Sequence, residues 1–138
     1  MWKRFGEKSM LLVIDTNILV NALKSHDDHA KSVQLMRDVF AGRHVVCVSS
    51  GIMKEYRDVL SRPHLGIDDQ IVSRLLDWIE RSAFKIEPKK SLQSHIEMMD
   101  EDDRIFFDTA KCLNARLVTR NYKHYPVHEL VTLLDELY

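Results

Sequence analysis

The sequence predicts one α/β domain with a mostly parallel central sheet of about five strands flanked by helices. Short continuous apolar runs, too brief for helices, read as strands buried on both faces. Between them, apolar residues recur at helical spacing, and the strand-helix alternation implies parallel crossovers. Several runs also end abruptly in polar residues, as they do where a parallel sheet opens to a ligand.

The first strand is Met10–Ile14, stopped by Asp15-Thr-Asn17. Thr16 or Asn17 can cap a helix through Leu23, and Ala30, Val33, Met36 and Phe40 stripe the next, which Gly42 stops. Val45–Val48 is the second strand, closed by Ser49-Ser-Gly51. Ile52, Met53, Tyr56, Val59 and Leu60 share one helical face, ended by Pro63. Asp68-Asp69 begins a helix striped by Ile71, Leu75, Leu76 and Ile79. Phe84–Ile86 is a weak third strand, and Pro88 to Met99 carries no clear pattern. From Asp102 a helix runs through Phe106, Ala110 and Leu113 to a cap at Asn114. Leu117–Thr119 and Leu130–Leu134 complete the sheet.

The chain has 138 residues, with 20 Lys+Arg against 21 Asp+Glu. Its length suits one domain, 1–138, with residues 1–10 a loosely attached extension bearing Lys3, Arg4 and Lys8. No apolar run approaches the roughly 20 residues of a membrane helix. Cys47 and Cys112 lie in apolar stretches without Cys-x-x-Cys spacing, as buried thiols of a cytoplasmic protein do. The near-neutral charge supplies no broad basic surface, so any nucleic acid must be held by a local site.

Asp15 is the most telling residue. A carboxylate directly after an apolar strand sits at the lip of the core, poorly hydrated unless paired. A helix cap is the ordinary explanation, yet Thr16 and Asn17 serve that purpose too. Glu97-Met-Met-Asp-Glu-Asp-Asp103 places five acids in seven residues. Helix N-termini attract two or three acids; five repel one another unless a cation intervenes. Hard ions such as Mg²⁺ take oxygen ligands, so acids converging from separate elements suggest a metal site. Asp103 lies nearest the expected sheet rim. Asp108, about 140° around the helix, is expected to face solvent or pair with Lys111. Glu55, one turn into its helix, reaches the same rim, with Asp58 a turn farther away.

The histidines show no zinc spacing. His44, His64, His95 and His128 read as surface residues, and Trp2 and Trp78 as packing residues. His124, with Arg120 and Lys123, can meet a phosphate at a strand end or sit in an exposed turn. No phosphate loop, dinucleotide fingerprint or nucleophile elbow is present.

The four segments Leu12–Leu19, Ser49–Pro63, Asp100–Ala110 and Leu117–Pro126, in that order, resemble the PIN-domain family of metal-dependent ribonucleases. The details resemble its branch of VapC-like toxins from bacterial toxin–antitoxin pairs. The resemblance implies a PIN-like domain with Asp15, Glu55 and Asp103 as catalytic acids holding Mg²⁺ or Mn²⁺. It implies Asp100 as an outer acid, Thr16, Ser49 and Thr119 orienting waters, and Lys54, Arg120 and Lys123 contacting phosphate. RNA is the implied substrate, a small antitoxin the implied partner, and a homodimer is also compatible. One departure is Asn121, where many members carry an acid. Asn121 offers a neutral oxygen but no fourth charge, leaving open a domain that binds without cutting. A receiver-like phosphorylation switch fits poorly, because Asp15 is followed by Thr16 and the second strand by serines.

Overall fold

A computed structural model describes residues 9–89, 98 and 100–138. Trp2, Lys3, Arg4, Lys8, His95, Glu97 and most of the unpatterned stretch lie outside the described residues.

Strands β1 (Leu11–Ile14), β2 (Val45–Val48), β3 (Phe84–Lys85), β4 (Arg116–Thr119) and β5 (Val131–Leu133) form one sheet. Its order is β3-β2-β1-β4-β5 and every pairing is parallel. Successive strand residues point to opposite faces. Leu12, Val13 and Ile14 are each at most 1% exposed, so β1 is covered on both faces. Val46 to Val48 and Leu117 to Thr119 are buried in the same way. The helices that cover them are α1 (Thr16–Lys24), α2 (Lys31–Phe40), α3 (Ser50–Leu60), α4 (Asp69–Ser82), α5 (Arg104–Leu113) and the single turn α6 (Leu134–Leu137).

The order fixes where a ligand can enter. The chain steps outward from β1 through β2 to β3, then returns across both to β4. With right-handed crossovers the covering helices change face at that return. The carboxyl ends of β1 and β4 therefore flank the topological switch point, where open sheets bind ligands.

Local chemistry explains most boundaries. Ser49 caps α3 by accepting from the Ile52 amide, and Asp68 accepts from Gln70 ahead of α4. Gly42, just past α2, has φ +78°, and Asn114 after α5 has φ 51°, both in the left-handed region that stops helices. Tyr56 is fully buried and its hydroxyl donates to the Ile14 carbonyl at 2.5 Å, pinning α3 to the tip of β1.

Several expectations need correction. Leu134 begins α6 instead of ending β5, because the strand has already run past its partner on β4. The segment at Asp102 opens as a 3₁₀ turn, Glu101–Asp103, before α5. In α2 the inward face is Leu35, Met36 and Val39, whereas Phe40 is half exposed and stacks edge-on against Trp78. In α4 Val72 is buried and Ile71 is turned outward, one residue around the helix from the expected stripe. Cys47 is buried, but Cys112 only partly so. His44 and His128 are not simple surface residues, since their Nδ1 atoms accept from the Met10 and Leu130 amides.

Candidate functional site

The switch point holds the acid that the sequence singled out. Asp15 follows β1, its amide extending the ladder to the Val118 carbonyl at 3.0 Å. Its backbone occupies the cap position of α1, yet its side chain makes no capping hydrogen bond. Instead its Oδ2 accepts from the Thr119 hydroxyl at the end of β4, at 2.8 Å. Asp15 is 4% exposed. Burial raises its pKa, opposed by the Thr119 hydroxyl, the Asn17 amide, nearby His124 and the Thr16 amide.

Asp103 reaches the same region from the start of α5, with its side chain 19% exposed. Burial first, then repulsion from Asp15 and Asp100, pushes its pKa up to about 6. His124 opposes this, with Nδ1 at 3.8 Å from Asp103 Oδ2, and Glu55 adds the smallest push. Glu55, half-buried on α3 beside Tyr56, is raised by desolvation, relieved by Arg62 and raised again by Asp102, Asp58 and Asp100. Asp103 thus lies within electrostatic reach of both Asp15 and Glu55, which come from two other elements. Among the described residues, no group of three or more His, Cys, Asp or Glu side chains is close enough to enclose a metal ion directly.

The donor chemistry still fits a hard cation. Mg²⁺ commonly keeps several waters and binds through one or two carboxylates. Asp15 and Asp103, which influence one another directly, could serve as that pair. Beside Asp15 the Thr16 hydroxyl is buried without a hydrogen-bond partner, which gives such a water a place to bond.

The acidic run sorts into different tasks. Asp100 is exposed and accepts from the Asp102 amide, the capping job that an acid before a helix performs. Glu101 makes a two-pronged pair with Arg104, at 2.6 and 2.9 Å. Asp102 is exposed, and Glu97 lies outside the described residues. Among the described acids of this run, Asp103 alone is placed against Asp15.

Asp108 contradicts its expected solvent-facing place: it is 7% exposed. Five consecutive residues of α5, Phe106 to Ala110, are buried, so this helix has no wet side at that level. Asp108 lines a separate cavity of about 250 Å³ with Ser49, Ser50 and Glu87. Ser49 is occupied as the α3 cap, and Glu87 holds the Ser50 amide and hydroxyl.

Past β4, the Thr119 hydroxyl also accepts from the Asn121 amide, and Asn121 Oδ1 accepts from the Lys123 amide. These turns fix the loop carrying Arg120, Asn121 and His124. Arg120 borders an open groove along α1, whereas Lys54 and Lys123 are simply exposed. Sequence reasoning missed Tyr125, 5% exposed, whose buried hydroxyl lies within the influence of Asp15 and Asp103. It also missed Asn17, Asn21 and Lys24 on the groove wall. Their i, i+4, i+7 spacing was the available signal.

The family model described as PIN domain matches residues 11–123, covering the segments Leu12–Leu19, Ser49–Pro63 and Asp100–Ala110 whole and the fourth as far as Lys123. The chain belongs to the PIN-domain family. No curated protein matches it. Among solved structures, this PIN domain is similar to a chain in the crystal structure of VapBC2 from Rickettsia felis bound to a DNA fragment from their promoter. That match has a TM-score of 0.60 and 21% identity, covering 90% of this PIN domain and 97% of that chain. At that identity the likeness shows a shared fold. Asp15 after β1 and Asp103 at the start of α5 thus sit within the PIN-domain architecture.

Proposed function

We propose that this chain is a metal-dependent endoribonuclease and the toxin of a bacterial toxin–antitoxin pair acting in the cytoplasm. The observation that carries the reading is the buried Asp15 carboxylate, tied to Thr119 across the switch point and crowded by Asp103. Asp15, Glu55 and Asp103 would hold Mg²⁺ or Mn²⁺, partly through water, with Asp100 as an outer acid. Such an ion supplies a more acidic water and neutralises charge on the phosphoryl oxygens. The Thr119 hydroxyl holds Asp15 Oδ2 at 2.8 Å and so would steady the carboxylate that binds the ion. Thr16 and Ser49 would orient waters, although the capping bond of Ser49 restricts it. Arg120, Lys123 and Lys54 would draw in the phosphates of RNA, the substrate class that the family reading implies.

A partner fits the opposite chemistry. Leu19, Leu23, Met36, Phe40 and Leu75 line an apolar hollow of about 150 Å³ between α1, α2 and α4. An antitoxin segment with an apolar face would cover it, and a homodimer is the competing occupant. Among the described residues, no helix is long and apolar enough to cross a membrane.

One observation favours a second reading, a domain that binds without cutting: Asn121 adds no charge and its Oδ1 is engaged by the Lys123 amide. Cleavage of a labelled RNA in Mn²⁺ separates the two. We expect Asp15→Asn and Asp103→Asn each to abolish cleavage while circular dichroism stays native. Full activity in either purified variant refutes the site assignment. For Asn121→Asp we expect tighter Mn²⁺ binding by titration calorimetry, and an unchanged affinity would place this residue away from the ion.

A further inference from the structure

We infer that the groove between α1 and the loop after β4 is a subsite for single-stranded RNA on one side of the scissile phosphate. This deepens the ribonuclease reading and rests on it. The groove encloses about 580 Å³, within the ~300–1,000 Å³ typical of ligand clefts and enough for roughly one or two nucleotides. One wall is the stripe Asn17, Asn21 and Lys24 of α1, spanning about 10 Å at 1.5 Å per residue. The other is Arg120, Asn121 and His124. His124 joins this groove to the acids, its ring 3.8 Å from Asp103.

The chemistry of the lining points to a phosphate-bearing chain. No carboxylate lines the groove, although acids crowd the centre beside it. Lys24 and Arg120 are both exposed on the groove wall, and among the described residues neither is paired with an acid, so both charges face whatever enters it. The amides add donors of their own. Asn21 Oδ1 accepts from Ser32 at 2.6 Å and Asn121 Oδ1 from the Lys123 amide at 3.0 Å. With both oxygens satisfied inside the protein, both NH₂ groups remain for a ligand. A wall of two cations and spare N–H donors complements phosphate oxygens and base carbonyls. Base edges lie open to such amides in single strands, while a paired A-form helix hides them in a deep, narrow groove.

The test measures binding of a fluorescent ten-nucleotide single-stranded RNA by anisotropy, at several salt concentrations, with Ca²⁺ replacing Mg²⁺. We expect Lys24→Ala combined with Arg120→Ala to raise Kd at least tenfold. The slope of log K against log salt should fall by about 1.4, at ~0.7 per phosphate contact on a single strand. Mn²⁺ affinity should not change. Arg74→Ala with Arg81→Ala, which removes equal charge from α4, should have less than a threefold effect. An unchanged Kd in the groove variant, an equal loss in the α4 variant, or tighter binding of a duplex overturns the subsite while leaving the nuclease reading intact. If the wild-type protein binds no RNA, both fall together.

Discussion

At the residue scale, Asp103 carries a charge that the folded protein holds at a cost. Burial and the carboxylates of Asp15 and Asp100 push its pKa up to about 6, from an ordinary 3.8. The folded state therefore binds this proton more tightly than the unfolded chain. By linkage, the group's destabilising effect is absent below pH 4, grows between pH 4 and 6, and is complete above. Asp103→Asn should stabilise the metal-free protein at pH 7 by roughly 1–2 kcal/mol, after a discount for partial exposure and for a lost favourable charge at the α5 N-terminus. Urea unfolding at pH 7 and pH 4 checks this: the gain should appear at pH 7 and vanish at pH 4. Asp103 makes no side-chain capping bond to α5, so the amide loses nothing there. The same protonation should weaken divalent-ion binding below pH 6. Asp15 and Asp103 were legible in the sequence because an acid at a strand lip or in a crowded run is unusual for structure alone. The burial of Asp108 was not, because spacing gives an angle around α5 and says nothing about whether both sides of the helix are covered.

At the element scale, α3 is fastened to the site by one bond. The Tyr56 hydroxyl reaches the carbonyl of Ile14, the residue before Asp15, and Glu55 is its neighbour on the helix. Tyr56→Phe should cost about 1–3 kcal/mol by removing the donor from a buried carbonyl. Because the bond registers α3 against β1, the variant should also bind Mn²⁺ more weakly, which calorimetry would read apart from stability. The five strands and the larger helices were readable from apolar runs and stripes. Errors fell where two apolar neighbours compete for one face. Ile71 and Val72 are equally apolar, and only the packing of α4 against α3 and β2 chooses Val72. Phe40 fits the stripe of α2 by spacing, yet the face centred on Leu35 and Val39 wins and leaves Phe40 to Trp78. At Leu134 the run continues beyond the strand because apolar character alone carries no signal for where pairing stops.

At the scale of the whole molecule, the sheet order brings Asp15, after β1, and Asp103, at the start of α5, to one opening, where Asp15 and Glu55 both repel Asp103; a cation bound there as proposed would relieve that repulsion. Mg²⁺ or Mn²⁺ in excess should then stabilise the fold by mass action, by about 2.7 kcal/mol at a concentration a hundred times Kd, and raise Tm accordingly. Asp15→Asn combined with Asp103→Asn should have a higher Tm without metal and show no rise with it. Differential scanning calorimetry with and without Mn²⁺ distinguishes this from nonspecific ion effects, for which both proteins would shift alike. The strand order itself was only implied by the sequence, since alternation gives parallel pairing without saying which strands are neighbours.

The bond between Asp15 and Thr119 joins residues 104 positions apart. Until β4 has been synthesised and seated beside β1, a nascent chain has the first acid without the hydroxyl that sets it. A product cut short before Arg116 would thus carry every proposed acid and still lack a working arrangement of them.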